Sequence, residues 1–179
     1  MKLWAFVVAL LCALGYNAWV PRAVAQAPAQ MQVSLDQMKS NVTLIPASAE
    51  KDRWQGNAEM WQVMIGQKGN VPIPKLELLK TYFREMQANV AGITEPEEQE
   101  RWQANMFMWG VLIRHMESDT PDRFFVHVDG YFGRMQANVA QIVEPSEKGR
   151  WQANVDIWKI MIARLDKTPL QDVAEKKSQ

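Results

Sequence analysis

From Trp102, large apolar residues return at Met106, Trp109 and Ile113. A step of about 100° per residue sets all four on one narrow stripe of a helix, with Asn105 at its edge. Leu76, Leu79, Phe83, Met86, Val90 and Ile93 draw the same kind of stripe through the preceding segment, and strand-like alternation is absent from both. Read along the chain, this periodicity and its punctuation predict helices over 32–45, 49–66, 75–93, 96–117, 121–142 and 146–166, and so an all-α fold.

The stripes are copies of one another. Arg53-Trp54-Gln55-Gly56-Asn57 returns as Arg101-Trp102-Gln103-Ala104-Asn105 after 48 residues and as Arg150-Trp151-Gln152-Ala153-Asn154 after a further 49. A second tryptophan follows each first one by seven residues, at Trp61, Trp109 and Trp158. Sixteen residues before each first tryptophan stands a related string that opens on methionine: Met38-Lys39-Ser40-Asn41-Val42, Met86-Gln87-Ala88-Asn89-Val90 and Met135-Gln136-Ala137-Asn138-Val139. Ile45, Ile93 and Ile142 close these strings at plus seven. Between each Met string and its Trp string lies a proline, Pro46, Pro96 or Pro145. Proline loses no helical hydrogen bond in a first turn, and neighbouring acids such as Glu97 and Glu98 suit the positive end of a helix.

Each unit is therefore a helix, a tight turn and a second helix. Three αα-hairpin repeats of about 48–49 residues are expected at about 31–67, 75–117 and 121–166, stacked as a short solenoid or a six-helix bundle. Val63, Val111 and Ile160, about 180° from the first tryptophans, give the Trp helices a second apolar side. That places the Trp helices inside, with the Met helices more exposed. Gly66 to Pro74 is the longest linker, Thr120-Pro121 reads as an N-cap with proline at the first helical position, and Thr168-Pro169 repeats that pair at the head of a tail, 167–179.

The N-terminus departs from this pattern. Met1-Lys2, the apolar run Leu3 to Leu14 and the small-x-small site Ala23-Val24-Ala25 have the layout of a secretory signal peptide spanning 1–25. Cleavage after Ala25 starts the mature chain at Gln26 and directs it to a secreted or periplasmic location with no stable membrane insertion. It also removes Cys12, the only cysteine, and with it any disulfide, thiolate nucleophile or thiolate metal ligand. The full chain carries 20 basic and 20 acidic residues, so no polyanion is indicated as a partner and nucleic acid is not expected. With 47% apolar and 22% charged residues the chain has the composition to fold, against intrinsic disorder.

Candidate chemistry lies first in the recurring polar residues. The six asparagines of the strings fall near one end of their hairpins, where they could line a layer of amides. Trp54, Asn57, Trp102, Asn105, Trp151 and Asn154, with Arg101 and Arg150, have the chemistry of a ligand site, since indole faces stack and amides both donate and accept. The same residues equally suit hydrogen bonds between helices that fix register, and the arginines suit pairing with neighbouring acids or carbonyls. His115 and His127, either side of one turn, are the candidate metal ligands. Neither belongs to a recognisable zinc motif, and no cofactor motif is present. Nothing selects a catalytic pair. The expected function is thus a non-catalytic binding or scaffolding module for an unidentified protein or small ligand, possible also as a homo-oligomer. The alternative is an extracytoplasmic small-ligand or metal-binding helical bundle.

Overall fold

A computed structural model of the chain describes residues 20–65, 71–117 and 124–166; of residues 20–25, 124–127 and 166 it describes the backbone alone. The described residues form six helices and no strand: α1 (Val20–Thr43), α2 (Ala49–Met64), α3 (Ile73–Val90), α4 (Pro96–Glu117), α5 (Phe124–Ala140) and α6 (Pro145–Asp166). Residues 1–19 of the expected signal peptide, residues 66–70 of the Gly66–Pro74 linker, the Thr120-Pro121 cap and the tail from 167 lie outside the described residues.

Local chemistry sets the helix starts. Ser48 caps α2, its Oγ accepting from the Lys51 N–H at 3.3 Å, with Glu50 and Asp52 in the first turn. Pro96 and Pro145 open α4 and α6, as the sequence predicts. The first turn of α6 is further held by the Glu144 carboxylate, which accepts from the N–H groups of Ser146, at 2.9 Å, and Glu147. These two N–H bonds, that of Glu147 foremost, hold the Glu144 carboxyl below the usual range for a glutamate.

The Met helices stop two or three residues earlier than the stripe suggests, at Thr43, Val90 and Ala140. In each, the closing isoleucine bonds three residues back, Ile45 to Val42, Ile93 to Val90 and Ile142 to Val139, at 3.1–3.2 Å. A tightened turn thus returns the isoleucine to the core while freeing the backbone for the next helix. Helix α1 begins twelve residues before the predicted start. The alternating alanines from Ala23 to Ala29 favour helix, and Pro28 is accommodated within it. Its buried stripe nevertheless begins at Met31 and continues through Leu35, Met38 and Val42.

The six helices form a closed ring in chain order, α6 lying against α1. Each Met helix sits between two Trp helices and packs most extensively on the one outside its own hairpin: α1 on α6, α3 on α2 and α5 on α4. The bundle form of the expectation, not an open stack, therefore describes the molecule. The Trp helices do not pack backbone to backbone. Their side chains fill the centre, where all six tryptophans of the described residues are at most 1% exposed.

Candidate functional site

The three Trp helices run parallel, so equivalent residues meet at successive levels along one axis. Trp54, Trp102 and Trp151 form a triangle with ring centroids 4.8–5.0 Å apart and planes at 63–72°, the edge-to-face arrangement that the indole quadrupole favours. Two turns on, Trp61, Trp109 and Trp158 form a second triangle with centroids 4.4–5.1 Å apart.

Between the triangles the asparagines close a ring. Asn57 Nδ2 donates to Asn154 Oδ1, Asn154 Nδ2 to Asn105 Oδ1 and Asn105 Nδ2 to Asn57 Oδ1, each at 3.0 Å. Every Oδ1 also accepts an indole N–H from the helix that supplies its amide donor. Trp61 donates to Asn154 at 2.8 Å, Trp109 to Asn57 at 3.0 Å and Trp158 to Asn105 at 2.8 Å. The second amide protons of Asn57 and Asn154 point to the sulfurs of Met38 and Met135 at 3.7 Å. Both lone pairs of each carbonyl are used, and all three amides are fully buried.

A charged relay caps the first triangle. Arg53 pairs with Glu98 at 2.7 Å, Arg101 with Glu147 at 2.7 Å and Arg150 with Glu50 at 2.9 Å, each pair linking one Trp helix to the next. The same guanidiniums lie 5.6–5.9 Å from the indole centroids of Trp102, Trp151 and Trp54. Their Nε atoms are buried without a hydrogen-bond partner among the described residues.

The sequence-derived candidates are thus brought together: Trp54, Asn57, Trp102, Asn105, Trp151 and Asn154 in the interior, Arg101 and Arg150 at its rim. There they bond to one another and to the glutamates. The other string asparagines do not join them. Asn41, Asn89 and Asn138 are half-buried outside the ring, Asn138 donating to Glu100 at 2.9 Å. The angular position of Asn89 beside Met86 equals that of Asn105 beside Trp102. A Trp helix has neighbours on both flanks, however, so the edges of its stripe are interior as well. Sequence reasoning missed Glu50, Glu98 and Glu147, although each stands three residues before its arginine in all three strings.

His115 lies half-buried in the last turn of α4, and the His127 side chain is outside the described residues. Among the described residues no three His, Cys, Asp or Glu side chains come together as a metal site would need, and no helix is long and apolar enough to cross a membrane. Two of the surface hollows among the described residues lie beside the Trp helices. One, of about 350 Å³, lies by the α5–α6 turn against Glu97, Arg101, Asn138 and Glu144. The other, of about 570 Å³, lies between α3 and α4. No protein-family model matches the chain, and neither a curated protein nor a solved structure matches it.

Proposed function

We propose that the chain is a non-catalytic binding or scaffolding module, made of three copies of one helical hairpin and exported after loss of residues 1–25. One observation carries this reading. The polar residues common to the three Trp strings meet inside the ring, where the asparagines bond to one another and the arginines to glutamates. The shared signature then encodes a rigid frame, and specificity falls to outward positions where the copies differ. Export is supported by the signal-peptide layout and by Pro28. In a chain beginning at Gln26 this proline stands in the first turn of α1, where its missing N–H costs no hydrogen bond.

Native mass spectrometry of the protein recovered from the exported fraction of its own host tests both halves. The expected result is a chain starting at Gln26 that carries the added mass of a partner, a second copy or a ligand. A chain that keeps residues 1–25 and stays with the cells removes the export half. A bare monomer in every fraction removes the binding half. The small-ligand alternative is favoured by the α3–α4 hollow rather than by the buried Trp and Asn residues, which face one another.

A further inference from the structure

The outward stripe of α4 reads Gln103, Phe107, Gly110 and Arg114. At the corresponding positions α2 has Gln55, Glu59 and Gln62, and α6 has Gln152, Asp156 and Lys159. An acid and a long polar side chain thus serve the frame at two of three places, so Phe107 and Gly110 are not demanded by it. On α2 the equivalent cleft is spanned by Lys39 Nζ of α1 donating to Gln62 Oε1 at 3.0 Å. On α4 glycine replaces that glutamine and Gln87 replaces that lysine, so the strap is gone.

What replaces it is a cleft of about 570 Å³, within the range of small-ligand sites. Its apolar lining comes from Phe83, Val90, Met106, Phe107 and Ile113, with Gln87 and Gln103 alongside. Gly110 opens the floor: a Cβ there would stand 3.4 Å from Cζ of Phe83. Phe107 is held as a wall by stacking on Tyr131 of α5, with centroids 3.7 Å apart and planes at 18°, and the Arg134 guanidinium lies 4.3 Å from the same tyrosine ring. At the end of the cleft the local acid, Glu117, is bound by Lys80, which also holds Glu77. Arg114 is exposed there and has no acidic partner among the described residues.

An apolar, aromatic-walled cleft that has lost the acid of its counterparts and presents, at one end, an exposed guanidinium with no acidic partner among the described residues is complementary to one kind of small molecule. We propose that the α3–α4 cleft binds an organic anion with an aromatic or compact aliphatic body, its carboxylate or sulfonate on Arg114 and its body against Phe83, Met106 and Phe107. The inference rests on the binding-module reading and assigns it a ligand class. If the cleft fails while the host-derived protein still carries a partner, only the inference falls.

The test is titration of the full chain with 8-anilinonaphthalene-1-sulfonate, followed by dye fluorescence, with circular dichroism confirming that each variant is folded. Saturable binding of one equivalent is expected. Gly110→Gln and Phe107→Glu, which restore the character of the other copies, should each weaken it about tenfold or more. Gly110→Gln also raises helix propensity, so loss of binding there does not reflect unfolding. Arg114→Gln should weaken the sulfonate roughly tenfold and leave neutral N-phenyl-1-naphthylamine unchanged. Glu59→Gln, on the corresponding face of α2, should change nothing. Dye binding indifferent to Gly110→Gln, or absent altogether, overturns the proposal. So does sedimentation showing a dimer that Gly110→Gln dissociates, since a second copy would then occupy the cleft.

Discussion

The same three letters, Gln-Ala-Asn, stand at 87–89, 103–105, 136–138 and 152–154, yet only the second and fourth asparagines enter the ring. This gives a paired test at the scale of single residues. Asn105→Leu leaves one amide proton of Asn154 and the Trp158 Nε1–H without an acceptor and deprives Asn57 Oδ1 of one of its two donors, all in a buried site. With each buried orphan costing about 1–3 kcal/mol, urea unfolding should show a loss of about 3–5 kcal/mol. Asn138→Leu removes one exposed hydrogen bond to Glu100 and should stay within about 0.5 kcal/mol. Equal costs would show that the ring does not form. Periodicity marks both asparagines as edge positions; which edge is buried depends on how many helices flank it, and a one-dimensional pattern does not carry that count. For the same reason a layer of six amides was expected where the structure closes a ring of three. The glutamates that complete the relay were legible as Glu-x-x-Arg, but only once Arg and Glu are sought on different helices.

The starts of the Trp helices were better legible than the ends of the Met helices. Prolines and acids act through the first turn of their own helix, so Pro96 and Pro145 fall where or within a residue of where the sequence predicts, whereas the ends at Thr43, Val90 and Ala140 are set by the path to the next helix. Glu144 shows the local control most directly. Because hydrogen bonds to Glu147 and Ser146 lower its folded pKa below the unfolded value, its contribution is present above the ordinary glutamate pKa of about 4.3 and is lost as pH falls through the folded value. The stability difference between the wild type and Glu144→Gln, read as urea midpoints, should therefore be larger at about pH 6 than at about pH 3. An unchanged difference would mean that the carboxylate does not cap α6 in solution.

On the scale of the whole molecule the consequential feature is the seam between chain ends, which the sequence left open between a stack and a closed bundle. Hydrophobic stripes report that a helix has neighbours without saying which helix supplies them. Here α6 packs along α1 and meets α2 with the same contacts that join the other Trp helices: Arg150 to Glu50, Asn57 to Asn154, Trp61 to Asn154, and one Trp pair in each triangle. An open stack unfolds from its ends, because a terminal helix has one neighbour and opens at a fraction of the global free energy. A ring has no such end. Bringing distant segments together costs an entropy that grows only as the logarithm of loop length, so one junction's worth of burial can offset it. Hydrogen exchange should therefore protect the amides of residues 31–42 in α1 as strongly as those of α3. Leu35→Ala, a fully buried position in α1, should destabilise the entire protein by about 2–5 kcal/mol in a single transition seen alike by circular dichroism and indole fluorescence. Fast exchange confined to α1, with two separate transitions, would show that the seam is not closed in solution and that the chain behaves as a stack.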